Sequence, residues 1–162
     1  DRNGPLPQVV AAIMFDSILV VCTGNICRSP IGERLLRQQL PGKRITSAGV
    51  FGLEGSPADL SAQDVAWRHG ISLEGHRARK LTQQLMRESD LILVMEPAHL
   101  RFISAMAPEL RGKSLLFGQW LEPQEIPDPY RKSREAFDYV FGLLGKASQE
   151  WAHRLSQKGM KH

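Results

Sequence analysis

The chain has 162 residues, of which 42% are hydrophobic, so it is long enough to bury one core and does not require a second domain. Its 21 basic and 17 acidic residues give a net charge of +4 and a pI near 9.3, with the basic residues scattered among acidic ones, which predicts no nucleic-acid-binding surface. No apolar run approaches the length of a membrane span, so we expect no membrane insertion.

The first thirteen residues differ in character from the rest of the chain. They include the loop-like run Asn3-Gly4-Pro5-Leu6-Pro7, and Met14-Phe15 looks like a natural start ahead of the first strand. We therefore expect residues 1–13 to be a flexible leader derived from an expression vector. A single domain is then expected over residues 14–157, with a short C-terminal tail over residues 158–162.

From this point strand and helix patterns alternate along the chain, which is typical of a doubly wound α/β sheet. In chain order the predicted elements are a strand at Ile18–Val21, a helix at Pro30–Leu40, a strand at Arg44–Ala48, helices at Ser61–His69 and Thr82–Glu88, a strand at Leu91–Met95, a helix at Pro97–Met106, a strand at Ser114–Phe117, a long loop at Gln119–Arg131 and a closing helix that Ser133 caps and that reaches Leu155. Ligands bind at the carboxyl ends of strands in such sheets, so the loop after the first strand lies where a site is expected.

That loop has the sequence Cys22-Thr23-Gly24-Asn25-Ile26-Cys27-Arg28-Ser29 and joins a buried strand to a helix start at Pro30. Gly24 and Asn25 tolerate the tight or left-handed backbone that such a loop needs. A loop so placed can turn its backbone N–H groups inward, while the helix N-terminus adds partial positive charge. The sequence therefore predicts a socket for a tetrahedral dianion with Cys22 at its floor.

Cys22 and Arg28 are the candidate reactive residues of this loop. A thiolate is a strong nucleophile, and the inward amides, the helix N-terminus, Arg28 and Ser29 would all favour that anion. Arg28 can grip two phosphoryl oxygens at once, which a lysine cannot do. A cysteine after an apolar strand is more often a core residue, and Cys-x5-Arg alone arises by chance. The conjunction of strand, loop, Arg-Ser and Pro favours the catalytic interpretation.

These residues resemble the low-molecular-weight protein-tyrosine phosphatases, which have a Cys-x5-Arg-Ser loop near the N-terminus and an Asp-Pro-Tyr near the C-terminus. The second signature is present here as Ile126-Pro127-Asp128-Pro129-Tyr130, and Thr46-Ser47-Ala48-Gly49 and Gly75-His76-Arg77-Ala78-Arg79 match as well. The resemblance covers Met14 to about Leu155 and implies a four-stranded parallel sheet with helices on both faces and a phosphate-binding loop after the first strand.

Within this family the sequence looks closest to bacterial members that act on the tyrosine autokinases of capsule and exopolysaccharide export. Pro-Asp-Pro-Tyr-Arg-Lys-Ser and Arg111-Gly112-Lys113 are typical of them. The resemblance thus implies a phosphatase that dephosphorylates a phosphotyrosine-containing partner, with such an autokinase as the expected substrate. We expect a monomer that needs no cofactor. We also expect no metal, because the five histidines show no ligand spacing.

Asp128 supplies the proton donor that the loop lacks. Between two prolines it lies on a stiff, non-helical segment, although Pro-Asp-Pro by itself is more often a simple turn. By analogy with the family, Asp128 protonates the leaving phenolate in the first step and activates water in the second. Asp128 must then be protonated while Cys22 is ionised, which predicts a bell-shaped pH profile with an acidic optimum.

Other residues support this site. The resemblance implies a hydrogen-bonded network of Asn25, Ser29, Ser47 and His76 beneath the loop, although a lone histidine is more often a surface or structural residue. Leu53 and Tyr130 are expected to form the pocket walls, with Ile26 nearer the floor. Animal relatives usually carry an aromatic residue at the position of Leu53 and a second one where this chain has Arg131. The more basic rim here, with Arg131 and Lys132, favours acidic or multiply phosphorylated segments.

Cys27 has two interpretations. It is either a small buried hydrophobe, or a thiol that forms a disulfide with Cys22 under peroxide and so protects the nucleophile. The presence of only two cysteines, both in this loop, argues for a reducing cytoplasm and against a disulfide scaffold.

Three other functions fit the loop less well. An arsenate reductase of the thioredoxin-linked type needs further cysteines downstream, and none follows Cys27. A phosphocysteine carrier has no need of Arg28 and Asp128. A phosphotyrosine-binding module without turnover is the alternative of a different class, but all three principal catalytic groups are present.

Overall fold

The computed structural model describes residues 15–156, so the expectations for the leader and for the C-terminal tail lie outside the described residues. The elements are β1 (Ser17–Cys22), α1 (Arg28–Gln39), β2 (Arg44–Gly49), α2 (Leu60–Arg68), α3 (Gln83–Arg87), β3 (Leu91–Val94), α4 (Pro97–Met106), a 3-10 helix (Pro108–Lys113), β4 (Ser114–Leu116) and α5 (Arg134–Leu155).

The four strands form one parallel sheet in the order β2-β1-β3-β4. The reversal of strand order beside β1 creates a crevice at the carboxyl ends of the strands, where α/β sheets bind ligands. Cys22 ends β1 at this edge and is paired in register with Gly49, the last residue of β2. The predicted four-stranded parallel sheet is confirmed.

Alternation of the strand residues explains why helices cover both faces of the sheet. Ile18 and Val20 of β1 point to one core, which α1, α2 and α5 complete. Leu19 and Val21 point to a second core, which includes Met86 of α3 and residues of α4. All four side chains are fully buried, as expected of a parallel strand covered on both faces. The buried face of α5, which includes Phe137, Leu144 and Trp151, lies in the first core.

The predicted elements agree with the structure to within one residue at each end, except for the start of α1 and one element that was not predicted. α1 begins at Arg28, two residues before the predicted start at Pro30, so Arg28 and Ser29 belong to the first turn of the helix. The 3-10 helix at Pro108–Lys113 was not predicted, because it is short and has no buried residues that would give a periodic pattern. None of the helices within residues 15–156 is long and apolar enough to cross a membrane.

Candidate active site

The loop between β1 and α1 forms a cradle of backbone amides. Asn25 has φ of 60°, in the left-handed region, which turns the chain sharply as the sequence predicts. Within residues 15–156, the N–H groups of Gly24, Asn25, Ile26 and Cys27 donate to no protein acceptor. Successive unpartnered amides in a turn at a helix N-terminus favour an anion.

Gly49 at the end of β2 allows the backbone of this loop to approach the sheet. A Cβ atom at Gly49 would lie 2.6 Å from the carbonyl oxygen of Thr23 and 2.8 Å from the backbone nitrogen of Asn25. Real Cβ atoms do not approach backbone this closely. The glycine of the Thr-Ser-Ala-Gly motif is therefore required by the close approach of the loop.

Asn25 is the centre of a buried hydrogen-bond network under the loop. Its Oδ1 accepts from the backbone N–H of Arg79 at 2.9 Å, which fixes the amide orientation. Its Nδ2 then donates to Ser29 Oγ at 2.7 Å and to Ser47 Oγ at 3.0 Å. Ser47 Oγ donates in turn to the carboxylate of Glu33 at 2.6 Å.

His76 joins the same network from the opposite side. Its Nε2 lies 2.7 Å from the carbonyl oxygen of Asn25, which can only accept, so Nε2 carries the proton. Burial lowers the pKa of His76 below its usual range, against the opposing effect of its hydrogen bond to Asn25. The structure thus brings together Asn25, Ser29, Ser47 and His76, the four residues that the resemblance placed in one network.

The sulfur of Cys22 lies at the end of this network. Ser29 Oγ is 3.0 Å from Cys22 Sγ, and the backbone N–H of Ser29 donates to the same sulfur at 3.4 Å. Because Ser29 Oγ already accepts from Asn25, its own proton is available for the sulfur. Ser29 thus offers two hydrogen-bond donors to the sulfur of Cys22, which is 2% exposed.

Cys27 differs sharply from Cys22. Burial, together with the nearby charge of Asp59, raises the pKa of the Cys27 thiol far above its usual range. The thiol is therefore protonated at neutral pH and is a weak nucleophile. Both cysteines are free thiols in the structure.

Arg28 is almost fully buried and is held by three partners. Its Nη1 donates to the carboxylate of Glu96 and to the carbonyl oxygen of Ile126, and its Nη2 donates to Thr23 Oγ1. Its Nε is the one buried side-chain nitrogen or oxygen without a partner among the described residues. Nε and Nη2 lie on the same edge of the guanidinium, so this edge retains donors for a ligand.

Asp128 lies on the long loop that follows β4. The backbone of Ile126 anchors this loop, because its N–H donates to the carbonyl of Met95 and its carbonyl accepts from Arg28. Asp128 Oδ1 accepts from the backbone N–H of Tyr130 at 3.1 Å, and Oδ2 lies 3.7 Å from Arg28 Nη2. The half-exposed carboxylate of Asp128 is thus held beside the guanidinium.

One pocket opens above the loop and is lined by the candidate residues. Leu53, Tyr130 and Ile26 are among its lining residues. Phe51, which the sequence analysis did not single out, also lines the pocket although 66% of it is exposed. Its ring is braced edge-to-face by Phe102, with centroids 5.6 Å apart.

Four site residues besides Phe51 were missed from the sequence: Glu33 beneath the network, Gly49 behind the loop, and Glu96 and His99 at the start of α4. Glu96 lies two residues after the end of the buried strand β3, and polar residues at the carboxyl end of a strand next to β1 are a usable signal. Glu33 and His99 each lie on a helix that shows only an amphipathic pattern. Their contacts are set by packing, which no local pattern reports.

A four-stranded parallel sheet that carries a Cys-x5-Arg loop at the carboxyl end of β1 is the architecture of the low-molecular-weight protein-tyrosine phosphatases. The chain belongs to that family, since the family described as "Low molecular weight phosphotyrosine protein phosphatase" matches residues 17–161. The protein is accordingly a bacterial-type low-molecular-weight protein-tyrosine phosphatase.

Relatives in bacteria are similar over most of their length. Low molecular weight protein-tyrosine-phosphatase Etp of Escherichia coli (strain K12) is 64% identical over 148 residues, which are 91% of this chain and 100% of that protein. The crystal structure of the tyrosine phosphatase Wzb from Escherichia coli K30 in complex with sulphate has a TM-score of 0.87 at 62% identity, covering 88% of this chain and 100% of that one. That of the Erwinia amylovora tyrosine phosphatase AmsI has a TM-score of 0.87 at 53% identity, covering 89% and 95%.

Proposed function

We propose that the protein hydrolyses phosphotyrosine in two displacements at Cys22. In the first, Cys22 Sγ forms a bond to phosphorus while the bond from phosphorus to the tyrosyl oxygen breaks, and Asp128 gives its proton to that oxygen. In the second, Asp128 takes a proton from water, whose oxygen attacks phosphorus and displaces the thiolate. Inorganic phosphate leaves and Cys22 is regenerated.

The observation that carries this proposal is the free edge of the buried Arg28 guanidinium beside a loop of unpartnered amides. Arg28 Nε has no protein partner, and burying such a donor is costly unless a ligand meets it. With the amides of Gly24 to Cys27, this edge supplies a positive field for phosphoryl oxygens without a metal. The related Wzb structure contains sulphate, which is tetrahedral and doubly negative like the phosphoryl group of a phosphate monoester dianion.

Different residues interact with the negative charge on the phosphoryl oxygens and with the negative charge on the sulfur. Charge on the phosphoryl oxygens is met by Arg28 and the loop amides, and it spreads over the equatorial oxygens during in-line transfer. Charge on the sulfur is met by both donors of Ser29. Asp128 Oδ2 lies 3.7 Å from Arg28 Nη2, so the proton donor and the phosphate-binding guanidinium can contact neighbouring atoms of one substrate.

The pocket shape favours a phosphorylated phenol over a phosphorylated alcohol. Cys22 lies at the base of the pocket, 2% exposed, and Phe51, Leu53 and Tyr130 line its wall. A phosphotyrosine is long enough to reach the sulfur while its ring packs on these side chains. A phosphoserine is shorter and offers them no ring.

We infer that the physiological substrate is a phosphotyrosine-rich segment of a bacterial tyrosine autokinase that controls capsule or exopolysaccharide production. Support comes from the Pro-Asp-Pro-Tyr-Arg-Lys-Ser and Arg-Gly-Lys signatures and from the basic residue Arg131, which stacks on the Tyr130 ring at the pocket rim. A cytoplasmic location is part of the same proposal, because both thiols are free in a reactive loop.

Steady-state kinetics on matched peptides tests the proposal. We expect hydrolysis of a phosphotyrosine peptide, little hydrolysis of its phosphoserine counterpart, and a bell-shaped pH profile with an acidic optimum. Cys22→Ser should abolish turnover, and Asp128→Asn should lower kcat by roughly 100- to 10,000-fold. Asp64→Asn, at an exposed carboxylate of α2, is the control and should be unchanged. Turnover that survives Cys22→Ser would overturn the proposal.

The substrate is tested with the Cys22→Ser protein as an affinity trap. This variant keeps Arg28 and the loop amides but cannot form the thiophosphate. A tyrosine-phosphorylated kinase tail should be retained from a lysate of the source organism and released by vanadate. Recovery of non-phosphorylated proteins alone would count against the assignment of the substrate.

A further inference from the structure

Thr23 directly follows the nucleophile and has a polar side chain at the pocket. It is half-buried and lines the pocket together with Cys22 and Arg28. Its hydroxyl oxygen has two partners, His99 Nε2 at 3.0 Å and Arg28 Nη2 at 3.2 Å. The hydroxyl is thus held between α1 and α4 at the edge of the guanidinium that faces a ligand.

The hydrogen bonds of His99 settle which partner donates. The backbone N–H of Glu96 donates to His99 Nδ1 at 3.2 Å, so Nδ1 is an acceptor and carries no proton. In a neutral ring the proton is then on Nε2, which donates to Thr23 Oγ1. Burial, followed by the charge of Arg28, lowers the pKa of His99 to about 4, so the ring stays neutral at the pH of assay.

Both lone pairs of the Thr23 hydroxyl are therefore occupied. A hydroxyl accepts at two positions and donates at one. His99 and Arg28 can only donate to it, and among the described residues no acceptor lies within hydrogen-bond distance of the Thr23 hydroxyl. The O–H is the one hydrogen-bonding function of Thr23 left for a ligand in the pocket.

We propose that the Thr23 hydroxyl donates a hydrogen bond to a phosphoryl oxygen of the bound substrate, and that His99 positions it for this role. The inference rests on the proposed function and adds a neutral side-chain donor to the backbone amides and the Arg28 clamp. Thr23 is then a catalytic residue, because it touches the reacting group. His99 is a positioning residue that acts through Thr23.

A donor aimed at an oxygen that gains charge should matter most in the transition state. We expect Thr23→Val, which is nearly isosteric, to lower kcat/KM for p-nitrophenyl phosphate by roughly 10- to 100-fold. Inhibition by orthovanadate, which mimics the five-coordinate state, should weaken by a similar factor. Thr23→Ser keeps the hydroxyl and should stay within about twofold of the wild type.

Thr46→Val makes the same chemical change at a half-buried position of β2 and is the control for general effects on the fold. It should leave both quantities unchanged. Equal vanadate inhibition of Thr23→Val and wild type would overturn the inference while leaving the proposed function intact. Equal weakening in Thr23→Ser would also overturn it, because the hydroxyl would then be irrelevant. A wild-type protein that does not hydrolyse p-nitrophenyl phosphate would instead refute the proposed function.

The Asp128 carboxylate is the competing acceptor, since its Oδ2 lies 3.7 Å from the same Arg28 Nη2. A double-mutant cycle separates the two acceptors. If Thr23 contacts the phosphoryl group, Thr23→Val weakens vanadate inhibition by the same factor in wild type and in Asp128→Asn. If the effect vanishes in Asp128→Asn, the hydroxyl serves Asp128 and the inference is wrong.

His99→Leu tests the positioning role. It should weaken vanadate inhibition in the wild type and have no further effect in the Thr23→Val background, because its influence passes through the hydroxyl. An equal effect in both backgrounds would overturn the role of His99. Where the buried His99→Leu change prevents folding, the comparison of Thr23→Val with Thr23→Ser still decides the role of Thr23.

Discussion

The guanidinium of Arg28 and the carboxylate of Glu96 form an ion pair that is buried on the arginine side, with the two side chains 1% and 23% exposed. The pair joins the first turn of α1 to the residue that precedes α4. It leaves the Nε edge of Arg28 unpartnered. Glu96 thus fixes the outer side of the guanidinium so that its inner edge is presented to a ligand.

Glu96→Gln should therefore impair catalysis more than folding. The amide keeps an acceptor for Arg28 but loses the charge that holds it, so we expect kcat/KM to fall by roughly 10- to 100-fold. Glu109→Gln, at an exposed position of the 3-10 helix, is the matched control and should have no effect. Unchanged kinetics of Glu96→Gln would show that Arg28 does not depend on this pair.

Gly49→Ala should distort the phosphate-binding loop. The added methyl group would lie 2.6 Å from the Thr23 carbonyl oxygen and 2.8 Å from the Asn25 nitrogen, and neither backbone atom can move without the loop. We expect kcat/KM to fall by roughly 100-fold or more, with a lower melting temperature.

Gly142→Ala is the control for that substitution, because a Cβ at Gly142 of α5 meets nothing within 4 Å. This change should keep full activity and raise helix stability by up to about 1 kcal/mol. A Gly49→Ala enzyme with normal turnover would show that the loop does not need its close approach to β2.

The low pKa of His99 links stability to pH. The folded-state value of about 4 lies below the ordinary 6.5, so as pH falls from 6.5 the unfolded chain binds a proton that the folded ring does not. This contribution is fully present above pH 6.5 and is lost as the pH falls toward 4. Between pH 7 and pH 4 it amounts to about 3 kcal/mol. Burial of His76 acts with the same sign.

Urea unfolding at pH 7 and pH 4 measures this linkage. Between pH 7 and pH 4 the free energy of unfolding should fall more in the wild type than in His99→Gln. His153→Gln, at an exposed histidine, is the control and should lose as much as the wild type. Equal pH dependence of wild type and His99→Gln would contradict a neutral, buried His99.

Cys27 is a buried, protonated thiol, so peroxide should react first at Cys22. Peroxide should oxidise Cys22 to a sulfenic acid. The neighbouring Cys27 thiol then condenses with this sulfenic acid, which releases water and forms a disulfide that dithiothreitol reduces. Mass spectrometry should find this Cys22–Cys27 link in the wild type and sulfinic acid at Cys22 in Cys27→Ser. Sulfinic acid at Cys22 of the wild type without the link would refute protection by Cys27.

The sequence predicts the parts of this molecule that depend on local patterns. The apolar strand, Gly24-Asn25 and the Arg-Ser-Pro helix start lie within about a dozen residues, and the Pro-Asp-Pro segment is equally local. The fold could be predicted because β1 and β3 are continuous apolar runs. α1 begins two residues before the predicted start at Pro30, because Arg28 and Ser29 already belong to its first turn.

The residues that orient the site could not be predicted from local sequence patterns. Glu96 is 68 positions from Arg28 and His99 is 76 from Thr23, so their contacts exist only once α1 and α4 have packed beside β1 and β3. Glu33 looks like an ordinary helix-surface charge, yet it is buried and accepts from Ser47. These contacts depend on tertiary packing, which leaves no periodic or motif signal in the sequence.

Chemical quenching of the reaction tests the central claim most directly. p-Nitrophenolate is a good leaving group, so the second displacement is the slower step with p-nitrophenyl phosphate, and quenching the wild-type reaction within milliseconds should trap the intermediate. The account predicts a burst of p-nitrophenol that approaches one equivalent per enzyme and a phosphoryl group on Cys22 by tandem mass spectrometry. A phosphoryl group on Cys27 or any other residue, or turnover without a covalent intermediate, would contradict it.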